Sequence, residues 1–250
     1  MDFEIALAIV AALIVIVGIF SGIVSIWLVI KYYKYNRRPN SAGLTGVEMA
    51  RSILDANGLQ HIKVKRNGSL LFGNSYSHYF KKVRLRGHIR HQTSLTSVGM
   101  GAQKAALAIL DKEGDPDMKK RVRMIPIMTF GPIAFIPLIA IGVALDYFMH
   151  KGTGTFTIVL AAIGFLFYAY SIVLSVATLK TEKKAQERAY EILKNDYAIT
   201  NDELVALKEL FRLYNIQYIN DIILSTLELI YYALRILSAV NGNGSSSSNK

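Results

Sequence analysis

Three runs of this chain carry no charged side chain. Ile5 to Ile30 spans 26 residues, Met124 to Leu145 spans 22 and Gly152 to Leu179 spans 28. A helix rises 1.5 Å per residue and the hydrocarbon core of a bilayer is about 30 Å thick, so each run exceeds the roughly 18 residues that mark a transmembrane helix. The first run opens with Asp2 and Glu4 and is longer than the apolar region of a cleaved signal, so it reads as a retained anchor. The segment from Ile216 to Val240 is apolar but interrupted by Asp221, Glu228 and Arg235. Charges seven apart share one helical stripe, which fits a helix packed on the bundle or lying in the interface better than a fourth lipid-facing span.

Between the spans the pattern is that of a small domain. Thr45 and Glu48 have capping-box spacing, Val47, Ala50, Ile53 and Leu54 form a helical stripe, and Asn57-Gly58 ends it. Short strands are expected at His61 to Val64, Leu70 to Phe72 and Lys82 to Leu85, then a helix from Ser94 to Lys112. Helices are also expected at Thr181 to Lys194 and Asp202 to Tyr214. The expected organisation is an anchor at 1–30, a basic domain at 31–123, a helix pair at 124–179, interfacial helices at 180–240 and a disordered tail at 241–250. The fold class is a mostly α integral membrane protein with a small strand region, about three transmembrane helices and a C-terminal amphipathic helix.

Composition agrees with a membrane protein. Hydrophobic residues reach 52%, charged residues only 19%, and mean hydropathy is +0.31. The absence of cysteine excludes disulfides, thiolate metal sites, thiol catalysis and lipoprotein anchoring. The net charge of +11 is concentrated at 31–123, which holds 19 basic and 6 acidic residues, with no acidic residue between Asp55 and Asp111. Basic clusters also flank the apolar runs at Lys31 to Arg38, Lys119 to Arg123 and Lys180 to Lys184, which places all three on the cytoplasmic side and the N-terminus outside. The expected location is the cell membrane, with several passes.

Gly43-Leu44-Thr45-Gly46-Val47-Glu48-Met49-Ala50-Arg51, followed by Ile53-Leu54-Asp55-Ala56-Asn57-Gly58-Leu59, closely resembles the start of the bacterial neutral zinc metallopeptidase family of membrane proteins. The resemblance runs from about residue 1 to 240. It implies a zincin-like helical core in which an anchor, a short strand region and a helix bearing HEAGHA precede a proline-containing span, another span and a helix with a glutamate ligand. Carried forward from Val83-Arg84-Leu85, the motif positions fall on Gln103, Lys104 and Leu107, and the third ligand falls on Glu182. Such a site needs imidazoles at i and i+4 on one helix face and a glutamate at i+1 to deprotonate the bound water. Gln103 is a poor neutral ligand, Leu107 has no donor atom, and Lys104 is a cation where a base is required. Asn74-Ser75-Tyr76-Ser77 also departs from the Asp-His-Tyr-Asp turn of the family.

These positions therefore imply a peptidase fold with a degenerate site, no catalytic residues and the zinc cofactor lost. Lys104 is expected to pair with Glu182, Gln103 to hold the second carboxylate oxygen, and Leu107 to fill the space of the lost imidazole. The competing expectation is that Glu182, beside Lys183, Lys184 and Glu187, faces water. The five histidines, His61, His78, His88, His91 and His150, could supply a relocated metal site, His88 and His91 being an i, i+3 pair, but no acidic residue between Asp55 and Asp111 is there to complete it. The expected function is noncatalytic: binding an unidentified membrane protein through the basic domain and a vacant cleft. Alternatives are a working metallopeptidase with non-standard ligands, and an anchor whose basic domain binds anionic lipid headgroups or nucleic acid. Nucleic acid is the less favoured partner because no reading motif accompanies the charge.

The topology has a direct test. In this cysteine-free chain, Asn67→Cys and Thr153→Cys are expected to react with an impermeant maleimide from opposite sides of the membrane. Labelling of both from one side would sink the three-span arrangement.

Overall fold

The computed structural model describes residues 3–67, 73–128, 131–149 and 154–246. It is mostly helical: α1 (Phe3–Asn36), α2 (Gly46–Ala56), β1 (Lys63–Arg66), β2 (Ser75–Ser77), β3 (Lys82–Leu85), α3 (Gly87–His91), α4 (Leu95–Glu113), α5 (Pro116–Met128), α6 (Gly131–Phe148), α7 (Thr155–Asp196) and α8 (Asn201–Ser246). Two compact units result. One holds Met1–Ile23, Met124–Val176 and Tyr218–Lys250; the other holds Val24–Arg123 and Ala177–Gln217.

The helices α1 and α7, of which residues 3–23 and 155–176 lie in the first unit, are long and apolar enough to cross a membrane, and a shorter apolar helix covers Phe135–Phe148. Val15, Ile16, Ile19 and Ile23 on α1 are each more than half exposed, a surface suited to lipid rather than water. Asp146 accepts hydrogen bonds from Phe156 N (3.1 Å) and Thr157 N (2.9 Å), placing an anion on the otherwise unsatisfied N–H groups at the start of α7. Tyr168 OH donates to Glu228 at 2.7 Å, so the charged stripe of α8 is turned at that point toward α7.

In the second unit, Thr45 Oγ1 accepts from Glu48 N (3.2 Å) and Glu48 accepts from Thr45 N (2.8 Å), closing the capping box that starts α2. Met49, Ala50, Ile53 and Leu54 on the buried face of α2 pack against α4. Glycine permits the closest approach: a Cβ on Gly101 of α4 would lie 2.4 Å from the Gly46 carbonyl oxygen. The sheet has strand order β1-β3-β2, with β3 parallel to β1 and antiparallel to β2. Val83 and Leu85 point into the core, and Tyr76 joins them from β2.

Several boundaries differ from those expected. The helices anticipated at Thr181 and Asp202 are continuous with apolar segments in α7 and α8, because charge changes there with no proline or glycine at 165–196 or 201–241 to break the backbone. The expected first strand is displaced to Lys63–Arg66, Ser75–Ser77 is an additional strand, and Leu70 to Phe72 lies outside the described residues. The tail is helical as far as Ser246, since one long helix ahead of it supplies the nucleus; 247–250 lie outside the described residues.

Gly101→Ala is expected to cost about 1 to 3 kcal/mol, because the added methyl meets backbone that cannot rotate away. Gly99→Ala, where the nearest atom belongs to the Leu207 side chain, should cost less. Thermal unfolding of the detergent-solubilised variants checks the order.

Candidate functional site

The site is built on α4. Ser94 caps its N-terminus by accepting from Ser97 N at 3.2 Å, and Gly114, at φ 73°, ends it in the left-handed conformation. Every residue from Leu95 to Leu110 is buried. A helix buried on all faces offers a charged residue no route to solvent, so Lys104 must meet an anion inside the protein. Its Nζ lies 2.8 Å from Glu182 Oε2.

Gln103 Nε2 donates to the same carboxylate oxygen at 2.9 Å. It does not take the second oxygen, because Arg121 Nη2 of α5 occupies Oε1 at 3.1 Å. Leu107 is fully buried, and Gln103 and Lys104 are only 5% and 7% exposed. The cleft expected to stand vacant is packed with side chains. Glu182 is largely withdrawn from water, its side chain 17% exposed, whereas its neighbours Lys183 and Glu187 are exposed. Burial alone would raise its carboxyl pKa; the charges of Lys104 and Arg121 and their hydrogen bonds outweigh that and hold it below the ordinary 4.5.

Further ion pairs continue along α7. Lys184 Nζ lies 2.7 Å from both Asp115 and Asp117, and Arg188 lies 3.3 Å from Glu113. Together with Glu182 these contacts fasten residues 182 to 188 of α7 to the end of α4 and the start of α5. Sequence reasoning missed Arg121, reading it only as part of a span flank. Its position five residues past Pro116, on the next helical turns after α4, was the available signal.

Among the described residues the histidines do not assemble a metal site. His88 Nε2 meets the Tyr32 hydroxyl, while His61 and His91 are exposed on the surface. His78 Nδ1 lies 2.7 Å from Asp111, which also accepts from Tyr76 OH at 2.6 Å, beside a cavity of about 160 Å³. His150 lies outside the described residues. Among the described residues no three His, Cys, Asp or Glu side chains are grouped so as to hold a metal.

A family profile described as "Putative neutral zinc metallopeptidase" matches residues 9–237. The chain belongs to this family. It is similar to the "Putative membrane protease YugP" of Bacillus subtilis (strain 168), at 24% identity over 213 residues that cover 85% of this chain and 89% of that protein. No solved structure matches. With the two apolar helices, this likeness makes the chain a membrane-associated zinc-metallopeptidase-like protein.

Neutral zinc metallopeptidase chemistry requires lone pairs converging on one point. At Gln103, Lys104 and Arg121 the converging atoms are N–H donors instead, and the single carboxylate already carries three of them. Arg121 Nη1 is also buried, with no acceptor among the described residues. This donor set does not fit zinc.

Lys104→Met is expected to destabilise the protein by about 3 kcal/mol, the low end for breaking a buried pair because Arg121 still holds Glu182. Glu182→Gln in that background should recover part of the loss. Because the folded carboxyl titrates below its unfolded value, the stabilisation is complete above pH 4.5 and disappears as pH falls through the folded value; Glu182→Gln removes that component of acid unfolding. Unfolding followed by circular dichroism across this pH range reads both effects.

Proposed function

We propose that this chain is a noncatalytic member of the neutral zinc metallopeptidase family, a pseudopeptidase that binds a membrane protein partner. The observation that carries the reading is the inversion of donor chemistry around Glu182: the Lys104 ammonium and Arg121 guanidinium approach its two oxygens, and Gln103 adds a third N–H. On this reading Gln103, Lys104, Leu107 and Glu182 are the altered active-site positions, and no zinc is bound.

The arrangement also argues against hydrolysis by the residues themselves. A general base must accept a proton, and the Glu182 carboxylate, already paired with two cations, is a weak base at neutral pH. Neither Leu107 nor the Gln103 amide can activate water. Supported by the basic flanks, the second unit is assigned to the cytoplasmic side of a multi-pass protein. Its well-packed core suits a stable binding module whose partner would be found by cross-linking in the native membrane.

The competing enzyme reading uses ligands other than these. Elemental analysis of protein purified without chelator is expected to find far less than one zinc per chain. The combined substitutions Gln103→His, Lys104→Glu and Leu107→His, which restore the metal-binding pattern beside Glu182, are expected to raise zinc toward one per chain. Stoichiometric zinc in the unmodified protein, or peptide cleavage abolished by chelation, would overturn the noncatalytic reading.

A further inference from the structure

The outer face of the sheet is made of like charges set against one another. The parallel register pairs Lys63 with Lys82 and Lys65 with Arg84. Side chains alternate along a strand, so these four cations share one face; Val83 and Leu85, on the other, are fully buried. Ser75 and Ser77 of β2 stand in register with Arg84 and Lys82 and extend the same face with hydroxyls. Like charges directly across a strand pair oppose pairing. Partial burial, then the positive charges of Arg84 and Lys65, lower the Lys82 ammonium below its ordinary pKa.

Among the described residues, no acidic side chain relieves this repulsion. None of the four cations has an acidic partner among the described residues, and the sequence has no acidic residue from 56 to 110. The turn between β2 and β3 adds an apolar group to the same surface. Phe80 is 68% exposed, with Lys82 Nζ 4.4 Å from its ring centroid and the Arg84 guanidinium carbon 5.8 Å away. Tyr79 beside it is 55% exposed.

We propose that this sheet face, with Phe80 at its edge, docks on the anionic phospholipid headgroups of a membrane surface. The phosphates would screen the opposed cations, and the aromatic ring would enter the boundary between headgroups and acyl chains, where such rings partition well. Charge complementarity alone would equally suit a nucleic acid. Two observations favour lipid: the chain is membrane-associated, which keeps a bilayer at high effective concentration, and the exposed apolar ring flanked by cations matches an interfacial anchor. The inference does not depend on whether the protein is an enzyme.

The test uses the full chain in nanodiscs, with Trp27→Phe and Phe80→Trp making the turn the sole tryptophan reporter. In discs of phosphatidylcholine mixed with phosphatidylglycerol, its emission is expected to shift to the blue and to be quenched by acyl-chain bromine. In phosphatidylcholine alone neither should occur, and raised salt should reverse both. Replacing Lys63, Lys65, Lys82 and Arg84 by Gln should weaken docking by more than about a hundredfold, since each basic group near an anionic surface contributes about fivefold. That variant should unfold at no lower a temperature than its parent. If it does not fold, Lys63→Gln with Lys65→Gln, both exposed on an edge strand, should still give a clear loss of quenching. Identical emission in the two kinds of disc, quenching indifferent to salt and charge removal, or a shift produced by single-stranded RNA and not by phosphatidylglycerol would overturn the proposal.

Discussion

A lysine on a helix buried from every side is the constraint on which the second unit depends. Lys104 cannot extend to solvent from α4, and an unpaired ammonium in that setting would cost several kcal/mol or lose its proton. The carboxylate that resolves this belongs to α7, far along the chain, so satisfying one charge brings two distant helices together. Arg121 then ties α5 to the same carboxylate, and Lys184 and Arg188 repeat the connection farther along α7. Apolar packing supplies the bulk of the core, while the ions fix which turn of α7 faces which turn of α4.

The proposed pseudopeptidase site keeps a similar electrostatic balance to the metal site implied by its family. Zinc would bring two positive charges to a retained glutamate; Lys104 and Arg121 bring two of their own. What changes is direction. A metal draws lone pairs inward from ligands on several elements, whereas ammonium and guanidinium groups push donors outward to one acceptor. On this reading the scaffold keeps the same helices in contact while the atoms around Glu182 present N–H donors in place of metal-binding lone pairs.

Much of this architecture was legible because its signals are local. The apolar runs of α1 and α7, the Thr45 and Glu48 capping box, and the body of α4, expected from Ser94 to Lys112, were all written in short windows. The strand Ser75–Ser77 was not, because two serines around one tyrosine have weak strand character and are held by register with β3. α3 has no side-chain cap and only five residues, so its existence depends on tertiary packing around Ile89. The merging of helices in α7 and α8 was hidden by changes in charge that mimic boundaries. The Lys104 to Glu182 pair was suggested by resemblance to the family, whereas the contact made by Arg121 was masked by its likeness to an ordinary positive flank. Which carboxylate oxygen each donor takes depends on three-dimensional competition and has no sequence signature.

The separation of 78 residues between Lys104 and Glu182 also orders events on the ribosome. At about 5 to 20 residues per second, α4 is synthesised roughly 4 to 16 s before its counter-ion exists. During that interval the nascent α4 carries a lysine that its own neighbourhood cannot neutralise, so its burial in final form must wait for the polar half of α7. Two apolar stretches are made in between. Completion of the ionic cluster is thus delayed until both have been made, and a nascent chain stalled before Glu182 would present α4 as an incompletely closed, chaperone-accessible surface.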